Sequence, residues 1–264
     1  MHMSRYLLVS LSGLWLHGTA VAFNVAAEFS AQAVQQAPMR PEYHASMYVS
    51  KNAVRTDSTI NGVAVVEILN SKEQTRTLIV AKDKIFLQQK RTPDAADAIA
   101  TKPTPENPCA GIPQTTCQKL GVEMVNQRKT EKWEFTREFG GQTFRSLHWI
   151  DVQRRMPIRE FLADGTVTEL RMQGTETING RKTEKWILQM TRSDGQQMTS
   201  TQWYDPQLKM AIREELPGGY IRELKDIKIG KQDEHLFEIP SGYTRVDQLP
   251  DYLKPPQPPV VPGQ

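Results

Sequence analysis

The residues of this chain with chemistry to offer are scattered histidines, a pair of cysteines and a charged segment that occurs twice. His44, His148 and His235 stand singly beyond the apolar N-terminal stretch. An imidazole acts as a general base only beside a nucleophile, and as a metal ligand only beside other ligands. No G-x-S-x-G, H-E-x-x-H or G-K-[ST] motif provides either setting. Each His therefore reads as a sheet-face or surface residue, and no catalytic residue, metal or cofactor is expected. Cys109 and Cys117 lie in NPCAGIPQTTC. Half of a zinc site is the competing reading, but zinc usually takes four ligands and no His is near. A disulfide is expected, closing a short loop worth about 2–3 kcal/mol in the chain-entropy view.

The charged segment is VNQRKTEKW from Val125 to Trp133, and it returns as INGRKTEKW from Ile178 to Trp186. A second matching pair follows, WIDVQRRMPIRE from Trp149 and WYDPQLKMAIRE from Trp203. Trp133 to Trp186 is 186 − 133 = 53, and Trp149 to Trp203 is 203 − 149 = 54. A fixed period of this size marks repeated supersecondary units that bury apolar faces against each other. Arg, Lys and Glu repeated in two equivalent places read as solvated sheet surface with cross-strand ion pairs, not as acid–base machinery.

The elements that position these residues are strands. Met47 and Val49 fall on one side of an extended segment with Tyr48 opposite. Asn61-Gly62 is a hairpin signal leading into the β-branched run Val63–Leu69. Each repeat then supplies about four strands. In the first, Trp133 and Phe135 share a side, Gly140-Gly141 turns the chain, and Trp149, Met156 and Ile158 return before a turn at Asp164-Gly165. In the second, Trp186 and Leu188 share a side, Asp194-Gly195 turns, and Trp203, Met210 and Ile212 return. Tight turns and period-2 alternation predict a mainly β protein with a large antiparallel sheet and few short helices. Arg91–Leu120 breaks the pattern with five prolines and the cysteine pair; it reads as an ordered flap stapled by the disulfide, with one short helix over Asp94–Ala100. The expected organisation is a single β domain over 23–246, with repeats at about 121–173 and 174–227. A Pro-rich tail over 247–264, extended or disordered, completes the chain.

Formal net charge is +3, with acidic and basic residues interspersed, so no basic stripe suits a nucleic acid. Arg5, the apolar run Tyr6–Leu16 and Ala20-Val21-Ala22 form a secretory leader over 1–22 with cleavage expected before Phe23. The run is too short to span a bilayer comfortably, and no Cys follows it to carry a lipid. An exported, periplasmic chain that is peripheral to the membrane at most is expected.

FSAQAV near the expected mature start, SMYVSKNAVRTD with NGVAVVEIL, LGVEMVNQRKTEKW, WID with PIRE, and LFEIPSGY occur in that order. Together they resemble the periplasmic outer-membrane lipoprotein-sorting proteins, relatives of the LolA/LolB carriers, over Phe29–Val246. The resemblance implies an open half-barrel whose concave face holds acyl chains under a helical lid. Here the flap Arg91–Leu120 would stand in for the lid. The leading functional expectation is a non-catalytic protein that binds a lipid or lipoprotein acyl chain. Its concave lining would be Trp133, Phe135, Trp149, Met156, Ile158, Trp186, Leu188, Trp203, Met210 and Ile212. The alternative is a structural or sensory envelope protein that grips a protein partner by the sheet edge, the flap or the Pro-rich tail.

Overall fold

Apolar and polar residues alternate along most of this chain in runs separated by turn-forming Gly, Asn and Asp, and each run is a strand. The computed structural model describes residues 26–90, 104–110 and 112–253. The expected leader, the Asp94–Ala100 helix and residues 254–264 of the tail lie outside them. The first meander is β1 (Phe29–Gln36), β2 (Tyr43–Val49), β3 (Ala53–Ile60), β4 (Val63–Asn70), β5 (Thr75–Val80) and β6 (Ile85–Lys90). The second begins with β7 (Thr115–Val125), β8 (Arg128–Phe139), β9 (Gln142–Asp151), β10 (Pro157–Phe161) and β11 (Val167–Ile178). It continues through β12 (Arg181–Thr191), β13 (Gln197–Asp205), β14 (Met210–Leu216) and β15 (Tyr220–Ile229), and β16 is the pair Thr244–Arg245. Helix is confined to three 3-10 turns among the described residues.

All sixteen strands belong to one sheet, in the order β16-β6-β5-β4-β3-β2-β1-β15-β14-β13-β12-β11-β10-β9-β8-β7. The first meander runs from the middle to one edge; the second starts at the opposite edge and runs inward. They join where Ala33 opposes Leu224 and Phe29 opposes Ile229. Every pairing is antiparallel except β16 on β6. The two outermost strands do not pair, so the sheet is open, of half-barrel type.

Three turns show why residue types matter. Asn61-Gly62, Asn126-Gln127 and Asn179-Gly180 all have φ near +50° to +78° at both positions. A two-residue hairpin that matches strand twist needs this conformation, which Asn and Gly tolerate. At the second and third turns Asn has a further task. Strands β10 and β14 are short, so β11 and β15 outrun them. The amide Nδ2 of Asn126 donates to the carbonyl of Leu170 at 3.4 Å, and that of Asn179 to Leu224 at 3.1 Å. Each hairpin tip thereby fills the gap left by a short strand and satisfies a carbonyl that burial would otherwise penalise.

The chain after β15 is a clasp. Gly230 N donates to Glu28 O, and the Arg55 guanidinium holds the carbonyl of Leu236 at 2.8 Å. Thr244–Arg245 then lies along β6 and covers that edge. Leu253, with Leu249 beside it, packs against Val65 and Val80. Residues 247–253 thus stay attached to the sheet, beyond the Val246 boundary read from the sequence. Likewise Thr115–Leu120, read as part of the flap, is the first half of β7.

The main core joins Phe29, Ala31, Ala33, Ala45, Met47, Val49 and Val54 of the first meander to Leu208, Ile212 and Leu224 of the second. Leu224 is fully buried there. Leu224→Ala is expected to cost about 2–5 kcal/mol in urea unfolding, whereas Met39→Ala, on the surface, stays within about 0.5 kcal/mol. Equal effects would mean that the two meanders do not share a core.

Candidate ligand-binding face

Residues directly opposite on antiparallel strands share a face, and successive residues alternate. The register therefore assigns every side chain to one of two faces. Trp133 opposes His148, His148 opposes Glu160, Glu160 opposes Thr168, and Thr168 opposes Met190. On β12 this face continues as Leu188 and Trp186, opposite Leu170 and Met172. In the first meander it carries Ala31, Met47, Val65, Val80 and Ile85, linked pair by pair from β1 to β6. This face carries the larger share of the sheet's apolar side chains, but polar ones interrupt it, and Gln202, Glu214, Arg222 and Gln35 form a polar row across β13, β14, β15 and β1.

Trp149 and Trp203 are not on it. Trp149 opposes Lys132 and Arg159; Trp203 opposes Lys185 and Arg213. The ten expected lining residues therefore do not form one surface. Trp133, Phe135, Trp186 and Leu188 lie on the apolar face. Trp149 and Trp203 lie on the charged face. Ile158 and Ile212 sit at the strand irregularities beside Arg159 and Arg213, both fully buried. Trp149, Ile158 and Trp186 meet in one cluster with Val125 and Leu170, flanked by Met156 and Leu188. Ile212, with Met210 against it, belongs to the main core. Trp133, Phe135 and Trp203 belong to neither cluster.

On the charged face the two repeats build the same box twice. Trp149 Nε1 donates to Glu123 at 2.9 Å and Trp203 Nε1 to Glu176 at 2.7 Å. Lys132 and Arg159 lie over the first ring at 4.9 and 5.9 Å; Lys185 and Arg213 lie over the second at 5.2 and 5.3 Å. Each such contact contributes about 0.5–1 kcal/mol at partly exposed sites. Beneath them, Thr130 and Thr183 are fully buried, each donating its hydroxyl to the carbonyl seven residues earlier at 2.8 Å. Arg128 pairs with Asp151, and Arg181 with Asp205. Both aspartates also accept two backbone N–H groups from the following turn. This corrects the reading of the R-K-T-E-K segments as solvated surface. A buried carboxylate needs a cation and several donors to offset its lost hydration, and the repeated sequence supplies them.

The same accounting explains the ionisations. Burial pushes Asp151 and Asp205 up, but Arg128, Arg181 and the turn amides outweigh it and hold both below the usual range. Burial also pushes Glu169 up, and hydrogen bonds from Arg171, Arg159 and Asn126 bring it down to about 2.

Of the three histidines, His44 and His235 sit at the surface beside Glu42 and Glu238. His148 is different. On the apolar face, Ser146 Oγ lies 2.7 Å from His148 Nε2, and His148 Nδ1 lies 2.9 Å from Glu160 Oε1. Thr168 Oγ1 donates to the other Glu160 oxygen at 2.9 Å. The Phe135 ring packs on the imidazole, 4.1 Å between centroids. The signal available in the sequence was S-x-H within a strand, which places both side chains on one face. Cys109 and Cys117 form the expected disulfide, which ties the end of the loop to β7.

No family model and no curated protein matches the chain. Among solved structures, similar ones include a LolA-superfamily protein from Nitrosomonas europaea: TM-score 0.34, 12% identity, covering 81% of this chain and 90% of that one. An outer-membrane lipoprotein-sorting protein domain from Vibrio parahaemolyticus gives 0.31 and 11%, covering 81% and 90%. A DUF1329-family protein from Desulfovibrio piger gives 0.30 and 10%, covering 82% and 91%. These neighbours are of the group the sequence resembles. Scores so low lend no weight to a functional assignment.

Asp151, Asp205 and Glu169 titrate lower in the folded chain than in the unfolded one. Each therefore contributes stability that is complete above the unfolded values, about 4. That contribution is lost as pH falls through the folded value, about 2 for Glu169. The contribution of these three carboxylates is expected to be flat above about pH 5 and to fall below it. Glu169→Gln should lower stability at neutral pH and make the acid fall shallower. An unchanged acid limb in the variant would contradict the assignment.

Proposed function

We propose that this is an exported periplasmic protein that takes up the acyl chain of a lipid or lipoprotein on the apolar face of its sheet. One observation carries the reading. The face that buries most of the first meander's core continues into the second, where Val122, Met124 and Met172 on it remain 51%, 67% and 39% exposed. Exposed apolar side chains gathered on one face of a soluble fold mark a binding surface. Methionine suits it, since its unbranched thioether adapts to an irregular chain. Phe135, half-buried on the same face, adds a rigid ring. Export is supported by the disulfide, which persists in oxidising compartments, and by the leader-like N-terminus. Sorting of lipoproteins to the outer membrane is the role such uptake would serve.

A second reading rests on the sheet edges. The β6 edge is covered by β16, whereas β7 has no strand on its outer side among the described residues. An extended segment of an envelope protein would find an available ladder there.

Arg171 and Met172 are neighbours on β11 that point to opposite faces. Met172→Glu is expected to weaken binding of a fluorescent fatty acid by about tenfold, equivalent to about 1.4 kcal/mol. Arg171→Glu should leave it within about twofold. Equal losses, or no uptake by the wild-type protein, would remove the proposal.

A further inference from the structure

The line of polar groups that crosses the apolar face is built like a nucleophile with its base and orienting acid. Trp133, His148, Glu160, Thr168 and Met190 oppose one another in turn across five strands. Two apolar side chains thus bracket three polar ones. Ser146 is half-buried and reachable, the His148 side chain is 13% exposed, and Thr168 is buried. The Glu160 side chain, 26% exposed, is more open than His148, so access does not fall steadily along the line.

The hydrogen bonds set the direction of the relay. Burial pushes the Glu160 carboxyl up, but hydrogen bonding and charge from His148, with the Thr168 hydroxyl, hold it below the usual range. An ionised Glu160 only accepts, so Nδ1 of His148 carries a proton toward it. Once the imidazole is neutral, the form in which it serves as a base, Nε2 is the acceptor and the Ser146 hydroxyl donates to it; in the imidazolium, whose charge contributes to holding Glu160 low, Nε2 donates instead. Phe135 stacked on the ring and Glu160 at its edge fix the imidazole in that orientation. Nucleophile to base and base to orienting group are both within hydrogen-bond reach, as nucleophilic catalysis requires.

We propose that Ser146 is an activated nucleophile that accepts the acyl group of a carboxylic ester, with His148 as its base and Glu160 as a positioning residue. The choice of an ester with an apolar acyl chain rests on the apolar-face reading above; the reactivity of Ser146 does not. In the step, Ser146 Oγ bonds to the ester carbonyl carbon and its proton passes to His148 Nε2. The ester C–O bond breaks, and the departing alkoxide takes that proton, leaving acyl-Ser146 and a free alcohol. Water then attacks the acyl carbon and gives a proton to Nε2. The bond to Oγ breaks, Oγ recovers the proton, and a carboxylic acid is released.

Diisopropyl fluorophosphate tests the nucleophile without calling on acyl-chain binding. The full exported chain is treated with the reagent, digested and mapped by mass spectrometry. The expected result is a single adduct on the Ser146 peptide, lost in Ser146→Ala and at least about tenfold slower in His148→Gln. Circular dichroism confirms that each variant is folded. The wild-type labelling rate should rise with pH, because only the unprotonated imidazole can take the Ser146 proton. Glu160→Gln should slow labelling and displace that profile, which a merely structural ladder would not do. No adduct at Ser146, or an adduct rate indifferent to pH, would overturn the proposal and leave the line as a structural polar ladder. If Ser146 is labelled while fatty acid fails to bind, the relay stands and the acyl-chain reading falls. If fatty acid binds while Ser146 stays unlabelled, the reverse holds.

Discussion

Register is the constraint on which everything else here depends. Moving one strand by a single residue exchanges all its side chains between faces. In this sheet that would bring charges onto the apolar side and Trp133 and Trp186 onto the charged side. The repeated polar segments are what prevent it. The hydroxyls of Thr130 and Thr183 reach across their hairpins to one carbonyl each, from positions with no exposure to water. Asn126 and Asn179 latch the same hairpins onto strands further along. A slipped register would leave these buried groups unpaired, at about 1–3 kcal/mol each.

The two faces divide the work. The charged face holds the sheet's geometry through indole–carboxylate hydrogen bonds, cations over rings and the buried Arg–Asp pairs. The other face is the richer in apolar side chains, and Val122, Met124 and Met172 on it stay exposed. One edge is covered by the C-terminal clasp and the other is anchored by the Cys109–Cys117 bridge at the start of β7. An open sheet of this size gains from such fittings, because unpaired edges invite association.

Much of this was legible in the sequence. The period between Trp133 and Trp186 gave two four-stranded units, Asn61-Gly62 and the Asp-Gly turns gave hairpins, and NPCAGIPQTTC gave the disulfide. Trp149 and Trp203, expected on the lining, lie on the charged face instead, and the sequence holds a signal for it. A two-residue turn at Gly140-Gly141 pairs Phe139 with Gln142, which puts His148, not Trp149, opposite Trp133. The meeting of His148 with Glu160 was less accessible, because it depends on the irregularity between Pro157 and Arg159 that resets β10 against β9. Nor does a charged segment declare its burial. R-K-T-E-K is solvated or buried according to the partners it finds, and Asp151, Asp205 and Glu123 lie far from it in sequence or across a turn.

The most direct measurement is fluorescence quenching by a brominated fatty acid, read from variants that keep Trp133 or Trp203 alone and carry Phe at the other three positions. If the faces differ as described, emission from Trp133 falls on adding the brominated chain, while that from Trp203 does not. Quenching of both to the same extent, or of Trp203 alone, would contradict the division of the sheet into a proposed binding face and a structural one.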